Sequence, residues 1–92
     1  MIFEWDKNKD IQNQEKHGVS FDEAKRVFLD GKRIIITDTK HSTKNEERYF
    51  CFGKVDGYIL TVRFTYRNNI IRIFGAGYWR EGVKRYEKEH KI

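Results

Sequence analysis

The chain has 92 residues, the length of one small domain, and 38% of its residues are hydrophobic while 36% are charged. This composition is too apolar for a disordered tail, and too charged for a membrane protein whose spans need roughly 20 apolar residues each. The single cysteine excludes an internal disulfide, and the three scattered histidines form no zinc-binding pattern. We therefore expect one cytoplasmic domain over residues 1–92, with no membrane contact, metal or cofactor.

The net charge narrows the choice of partner. Nineteen Lys and Arg residues against fourteen Asp and Glu give a charge of +5. This excess favours a polyanionic partner such as nucleic acid, or an acidic protein. Surplus lysines also serve solubility alone, so the positions of the arginines must decide between these alternatives.

The first third of the chain predicts one short strand and two helices. Residues 2–5 form the strand, and Asp6 then caps a polar helix that continues to about Lys16 and ends at Gly18. A second helix begins with a capping box, carries an apolar stripe and ends at Gly31. The capping box is Ser20 with Glu23, and the apolar stripe is Phe21, Ala24, Val27 and Phe28.

From residue 33 onward the hydrophobic period changes to two and predicts four strands. These strands cover residues 33–37, 46–55, 58–66 and 70–74. Asp56-Gly57 is a strong type I′ hairpin signal and Asn68-Asn69 a weaker turn, and residues 78–90 form a final helix. The order β-α-α-β-β-β-β-α predicts an α+β fold, a twisted antiparallel sheet with two N-terminal helices and one C-terminal helix packed on one of its faces.

The two turns also predict which side chains share a face of the sheet. With two-residue turns, Thr65 lies opposite both Arg48 and Arg72, and Arg63 lies opposite Phe74. One face is then an apolar core that includes Tyr58 and Tyr66. The other, which we name the arginine face, comprises Arg48, Phe50, Phe52, Arg63, Thr65, Arg67, Arg72 and Phe74.

The arginine face suits a nucleic acid with unpaired bases, because guanidinium groups bind phosphate and aromatic rings stack on such bases. The alternative is a solvated face on which the arginine stems cover the phenylalanine rings. Glu46 or Glu47 could then neutralise part of the charge.

Several motifs of the chain resemble those of the BrnT toxin family. They are Phe3-Glu4-Trp5-Asp6, Lys16-His17-Gly18-Val19-Ser20-Phe21 with Glu23-Ala24, Glu47-Arg48-Tyr49 with Gly53, and Leu60, Arg67 and Ile71-Arg72-Ile73. The resemblance implies a RelE-like fold and a type II toxin that cuts RNA, alone or on the ribosome, and inhibits translation. It also implies a BrnA-like ribbon-helix-helix antitoxin, whose dimer binds two toxins and alone contacts operator DNA.

Metal-free RNA cleavage needs a proton carrier and stabilisation of the phosphorane. We assign Arg48, Arg67 and Arg72 to the scissile phosphate, because guanidinium stabilises charge but cannot act as a base. His17 is the candidate proton carrier, since imidazole titrates near neutral pH; its alternative role is local capping of the first helix. The candidate RNA-binding residues are Arg63, Phe50, Phe74 and Arg80.

The chain departs from the family pattern after its last strand. Where the toxins often have an arginine after alanine, Gly77 follows Ala76. If that arginine is essential, either Arg80 replaces it or the chain is a weak enzyme. A catalytically degenerate homologue that binds the antitoxin and contributes to operon repression is therefore the alternative to a ribonuclease toxin, and an unrelated structural domain is a third.

Overall fold

Five strands form one mixed sheet in the computed structural model, which describes all 92 residues. They are β1 (Ile2–Trp5), β2 (Ile34–Thr37), β3 (Arg48–Val55), β4 (Tyr58–Arg67) and β5 (Ile70–Gly77). The sheet order is β1-β5-β4-β3-β2, with β1 parallel to β5 and all other neighbours antiparallel. The α+β class is confirmed, but the wholly antiparallel sheet is wrong. No hairpin joins β1 to β5, so their relative direction is free of that constraint.

The chain forms three α-helices and one 3-10 helix, and the first of them has clear capping geometry at both ends. They are α1 (Lys7–His17), α2 (Phe21–Ala24), a 3-10 helix (Lys25–Leu29) and α3 (Arg80–His90). The Asp6 carboxylate accepts the backbone N–H groups of Asn8 and Lys9 at 2.8 and 3.2 Å, and Gly18 ends α1 with a φ of 67°. None of these helices has the length and apolar character that crossing a membrane requires.

The second predicted helix is confirmed at its start and wrong at its end. Ser20 Oγ accepts the backbone N–H of Glu23 at 3.0 Å, as the capping box predicts. The helix tightens to 3-10 geometry and stops at Leu29, not at Gly31. Asp30 turns the chain there, because its carboxylate accepts the backbone N–H of Lys32 at 2.9 Å.

Both hairpin turns have the backbone that their sequences predict. Asp56 and Gly57 adopt φ of 51° and 87°, and Asn68 and Asn69 adopt 52° and 67°. Type I′ turns need positive φ at both central residues, which asparagine, aspartate and glycine tolerate. The predicted register is therefore confirmed across both hairpins near the turns, including the row Arg48–Thr65–Arg72.

A β-bulge shifts the register further along β4 and β5. Arg63 pairs with Gly75, so the predicted Arg63–Phe74 pair is wrong, and the shift falls between Arg63 and Phe64. The extra residue is Phe74, next to Gly75, and a bulge of this kind re-aims neighbouring side chains. The Phe74 ring still lies on the arginine face, where the Arg48 guanidinium carbon is 4.1 Å from its centroid.

The core lies between one face of the sheet and the segment formed by α2 and the 3-10 helix. Its buried residues are Val19, Phe21, Ala24, Val27, Phe28, Cys51, Val55, Leu60, Val62, Phe64, Ile71, Ile73 and Ala76. The predicted core face is thus largely confirmed. Tyr58 and Tyr66 are corrections, since they are 72% and 49% exposed. Both lie near the ends of β4, where no helix covers them.

The third helix, α3, packs on the opposite face of the sheet, so the expectation of helices on one face is wrong. Gly82 in α3 lies against Phe52 and Thr61, both buried. A Cβ on Gly82 would collide with the Thr61 hydroxyl. The glycine that weakens the helical pattern in the sequence is therefore what allows α3 to approach the sheet.

Asn13 of α1 completes the hydrogen bonding of the sheet edge beyond the end of β1. Strand β1 ends opposite Ile73, so α1 lies beside the remainder of β5. The buried Asn13 side chain accepts the Ala76 N–H at 3.1 Å and donates to the Ala76 and Val19 carbonyls, both at 2.9 Å. One amide thereby replaces a neighbouring strand and fixes α1 to the sheet.

Candidate functional site

A groove of about 230 Å³ lies between α1 and the arginine face. We name it the basic groove, and its lining residues are Lys9, Gln12, Asn13, Lys16, His17, Arg63, Phe74, Gly75 and Trp79. Two lysines, one arginine and one histidine line it, and no carboxylate does. Cations concentrated in a concave surface attract an anion, because the protein walls limit screening by water.

Three of the side chains that line the basic groove have defined surroundings. Arg63 is half-buried and forms no ion pair. The Lys9 ammonium lies 5.3 Å from the centroid of Phe74, and the His17 ring meets Trp79 edge-on at 5.3 Å. The aromatic contacts position Lys9 and His17, and Arg63 keeps its charge available to a ligand because no carboxylate pairs with it.

The other arginines of the arginine face are partly neutralised. Glu46 accepts from Arg48 Nε and Arg67 Nη2, each at 3.0 Å. The hydrogen bonds from Arg67 and Arg48 lower the pKa of Glu46 below its ordinary value. Arg72 Nη1 lies 3.5 Å from a carboxylate oxygen of Glu4. The three arginines assigned to the scissile phosphate therefore each have a carboxylate partner in this structure.

The structure brings some of the predicted site residues together and separates others. His17, Arg63 and Phe74 line the basic groove, and Arg48 borders it through its contact with the Phe74 ring. The remaining predicted residues lie outside the groove: Arg67 and Arg72 in their ion pairs, Phe50 in a second cavity, and Arg80 exposed in the first turn of α3.

The contribution of α1 to the basic groove was not predicted from the sequence. Lys9, Gln12, Asn13 and Lys16 recur at helical spacing and so share one face of α1. That spacing is a usable signal, although it resembles an ordinary solvated helix face. The weak amphipathicity of α1 has the same cause, because the helix turns polar groups toward the groove as well as toward solvent.

The fold and the basic groove together define a small α+β protein with a concave surface lined by basic side chains. The family model described as the ribonuclease toxin BrnT of type II toxin-antitoxin systems matches residues 5–82, and the chain belongs to that family. The resemblance seen in the sequence is thus confirmed. Membership implies ribonuclease activity on an RNA substrate, and an antitoxin as partner. A comparison with curated proteins found no match.

Proposed function

We propose that this chain is a metal-independent endoribonuclease with a RelE-like fold, which cleaves RNA in the cytoplasm and inhibits translation. The observation that carries the proposal is the basic groove, whose lining includes two lysines, one arginine and one histidine but no carboxylate. Such a lining attracts phosphate, and it offers none of the oxygen ligands from acidic side chains that Mg²⁺ prefers.

In this proposal Arg63 is the main ligand of the scissile phosphate. Its guanidinium faces the groove without a competing carboxylate, and Lys16 of α1 lines the same groove. Fixed cations stabilise the charge that grows on the phosphorane, and one well-placed donor is worth roughly 3–4 kcal/mol.

His17 is proposed as the proton carrier of the reaction. It removes the proton of the 2′-hydroxyl as that oxygen attacks phosphorus, and it returns the proton to the departing 5′-oxygen. The products are a 2′,3′-cyclic phosphate and a free 5′-hydroxyl. Its support is its place in the basic groove, held edge-on against Trp79, and the near-neutral titration of imidazole.

The assignment of Arg48, Arg67 and Arg72 to the same phosphate stays a prediction. Arg48 has the strongest support, because it stacks on Phe74 at the border of the basic groove. Arg67 and Arg72 would have to leave Glu46 and Glu4, or act at longer range on the neighbouring phosphates. Exposed or half-exposed ion pairs of this kind are weak, so a polyanion can displace them.

The proposed antitoxin is BrnA-like, with a ribbon-helix-helix dimer that binds two toxins and contacts operator DNA. The cationic surface of the toxin suits acidic segments of such a partner as well as RNA. Occupation of the basic groove by the antitoxin would inhibit cleavage by direct competition.

The alternative function, a degenerate toxin that only binds its antitoxin, is favoured by one observation. At Gly77, where the family often has arginine, a Cβ would collide with the Trp79 indole. The indole occupies space beside the position of that arginine, and Arg80 does not reach the basic groove. The two functions differ in RNA turnover and in whether expression of the chain alone arrests growth.

The proposal is tested by incubating the purified protein with a structured RNA in excess EDTA. We expect cleavage by the native protein and a loss of about 100-fold or more in rate for Arg63→Ala, the effect of removing one charge-stabilising donor. Arg33→Ala is the matched control, because Arg33 is exposed and outside the basic groove. Arg72→Ala in parallel decides whether that residue belongs to the site.

Two results contradict the proposal. Equal rates for Arg63→Ala and Arg33→Ala would remove the basic groove from the chemistry. Absence of cleavage by the folded native protein, both alone and with translating ribosomes, would favour the degenerate toxin. Circular dichroism of each variant establishes that it is folded.

A further inference from the structure

A second cavity lies on the other side of Trp79 from the basic groove. It has a volume of about 140 Å³ and lies between α3 and the strands β2 and β3. We name it the aromatic cavity, because three aromatic residues, Phe50, Phe52 and Trp79, line it together with Ile36. Glu81 and Arg85 of α3 lie at the same cavity and are exposed.

Trp79 is a wall shared by both cavities, since it lines the basic groove and the aromatic cavity alike. Its indole packs directly over Gly77, where any Cβ would collide with the indole ring. The glycine that departs from the family pattern is therefore the condition for this position of Trp79. An anion in the basic groove and a flat group in the aromatic cavity would be neighbours across one indole.

The aromatic cavity has the shape and chemistry of a site for a flat ring. The Phe50 and Phe52 rings are within 15° of parallel, with centroids 5.8 Å apart. Phe50 is half-buried, whereas Phe52 is only 4% exposed, so Phe50 is the ring that a ligand can contact. Glu81 offers hydrogen-bond acceptors and Arg85 offers donors, the two kinds of group that read the edge of a base.

We propose that the aromatic cavity binds one unpaired nucleobase of the RNA whose adjacent phosphate lies in the basic groove. The proposal rests on the proposed function, and it adds a subsite for the base that stands beside the cleaved bond. A nucleobase is favoured over other flat ligands because the cavity shares the Trp79 wall with a groove whose cationic lining suits phosphate. Stacking on an aromatic side chain strengthens binding by about 5- to 150-fold per base.

The test measures binding of short single-stranded 2′-O-methyl oligonucleotides, which lack the attacking hydroxyl and cannot be cleaved. Two probes are compared, one intact and one in which a single central base is removed to leave an abasic sugar. We expect the intact probe to bind about tenfold more tightly, the ratio that about 1.4 kcal/mol of stacking produces. Phe50→Leu should reduce this ratio to near one.

Tyr58→Leu is the matched control, because Tyr58 is also an aromatic residue of the sheet but is 72% exposed and lines neither cavity. It should leave the ratio unchanged. A second measurement avoids changing the aromatic cavity. In a Trp5→Phe background, Trp79 is the only indole, and the intact probe should quench its fluorescence more strongly than the abasic probe. This measurement decides the matter if Phe50→Leu fails to fold.

The outcomes separate this inference from the proposed function. Equal binding of both probes, with affinity that Arg63→Ala abolishes, overturns the nucleobase subsite and leaves the basic groove as an RNA site. A full tenfold ratio retained by folded Phe50→Leu also overturns the subsite. If neither probe binds the native protein, both proposals fail.

Discussion

Replacing Asn13 by alanine should loosen the contact that holds α1 to the sheet. The side chain is 7% exposed and forms three hydrogen bonds of 2.9 to 3.1 Å with the backbone of Val19 and Ala76. Alanine leaves these backbone groups buried without partners. At about 1 kcal/mol for each neutral hydrogen bond, the loss in unfolding free energy is about 3 kcal/mol. For a domain of this size, that lowers Tm by roughly 12–24 °C.

Thermal unfolding followed by circular dichroism measures this loss, with Gln14→Ala as the control on an exposed position of the same helix. Amide exchange gives a local readout, because Asn13 accepts the Ala76 N–H. We expect that amide to lose protection in Asn13→Ala and to keep it in Gln14→Ala. Indistinguishable melting temperatures and unchanged Ala76 protection would refute the role of Asn13 as a replacement for a strand.

Replacing Asn13 by aspartate tests the same contact through the direction in which stability changes with pH. Asn13→Asp keeps an acceptor for the Ala76 N–H but places a negative charge against two carbonyl oxygens. Burial and repulsion raise the pKa of such a carboxyl in the folded state, so the variant should gain stability relative to Asn13→Ala as pH falls. A variant whose stability falls with pH in parallel with Asn13→Ala would show that the side chain does not face these carbonyls.

Three further predictions concern other parts of the molecule. The two arginine partners of Glu46 lower its pKa. The ion pairs therefore stabilise the fold at pH values above the ordinary carboxyl pKa, and this stabilisation is lost as pH falls through the pKa that Glu46 has in the folded protein. Glu46→Gln should lower the free energy of unfolding in urea by about 1 kcal/mol or less at pH 7, and should leave it unchanged in strong acid. Gly82→Ala should destabilise the protein by about 1–3 kcal/mol, because its Cβ would overlap the Thr61 hydroxyl, and a melting temperature equal to that of the native protein would contradict this packing. Burial raises the pKa of the Cys51 thiol to about 12, so iodoacetamide should label it only after unfolding; rapid labelling of the native protein would contradict its burial.

The elements that the sequence predicts well are those set by local chemistry. Asp6 starts α1 by accepting hydrogen bonds from nearby backbone N–H groups, and Gly18 ends it by adopting a positive φ. The two hairpins follow in the same way from turn residues that tolerate positive φ. The pairing of Arg48 and Arg72 with Thr65 was therefore predictable, since hairpin turns fix register over the residues next to them.

The features that the sequence did not predict depend on contacts between distant parts of the chain. The bulge beside Arg63 is a feature of how two strands pair, and Gly75, although a residue type that often marks a bulge, does not by itself fix where the register shifts. The basic groove needs α1 to lie along β5, and that placement rests on Asn13, a residue type that is common on helix surfaces. His17 and Arg63 could be proposed individually, but their shared groove could not.

The parallel pairing of β1 with β5 has a consequence for when the site forms. The basic groove combines α1, near the beginning of the chain, with Arg63, Phe74 and Trp79 near its end. A ribosome delivers the N-terminal part first, so α1 emerges long before the strand to which it attaches. The groove cannot assemble until residues through Trp79 have left the exit tunnel. The order of synthesis thus leaves α1 without its place on the sheet, and the nascent chain without the basic groove, until the last strand has emerged.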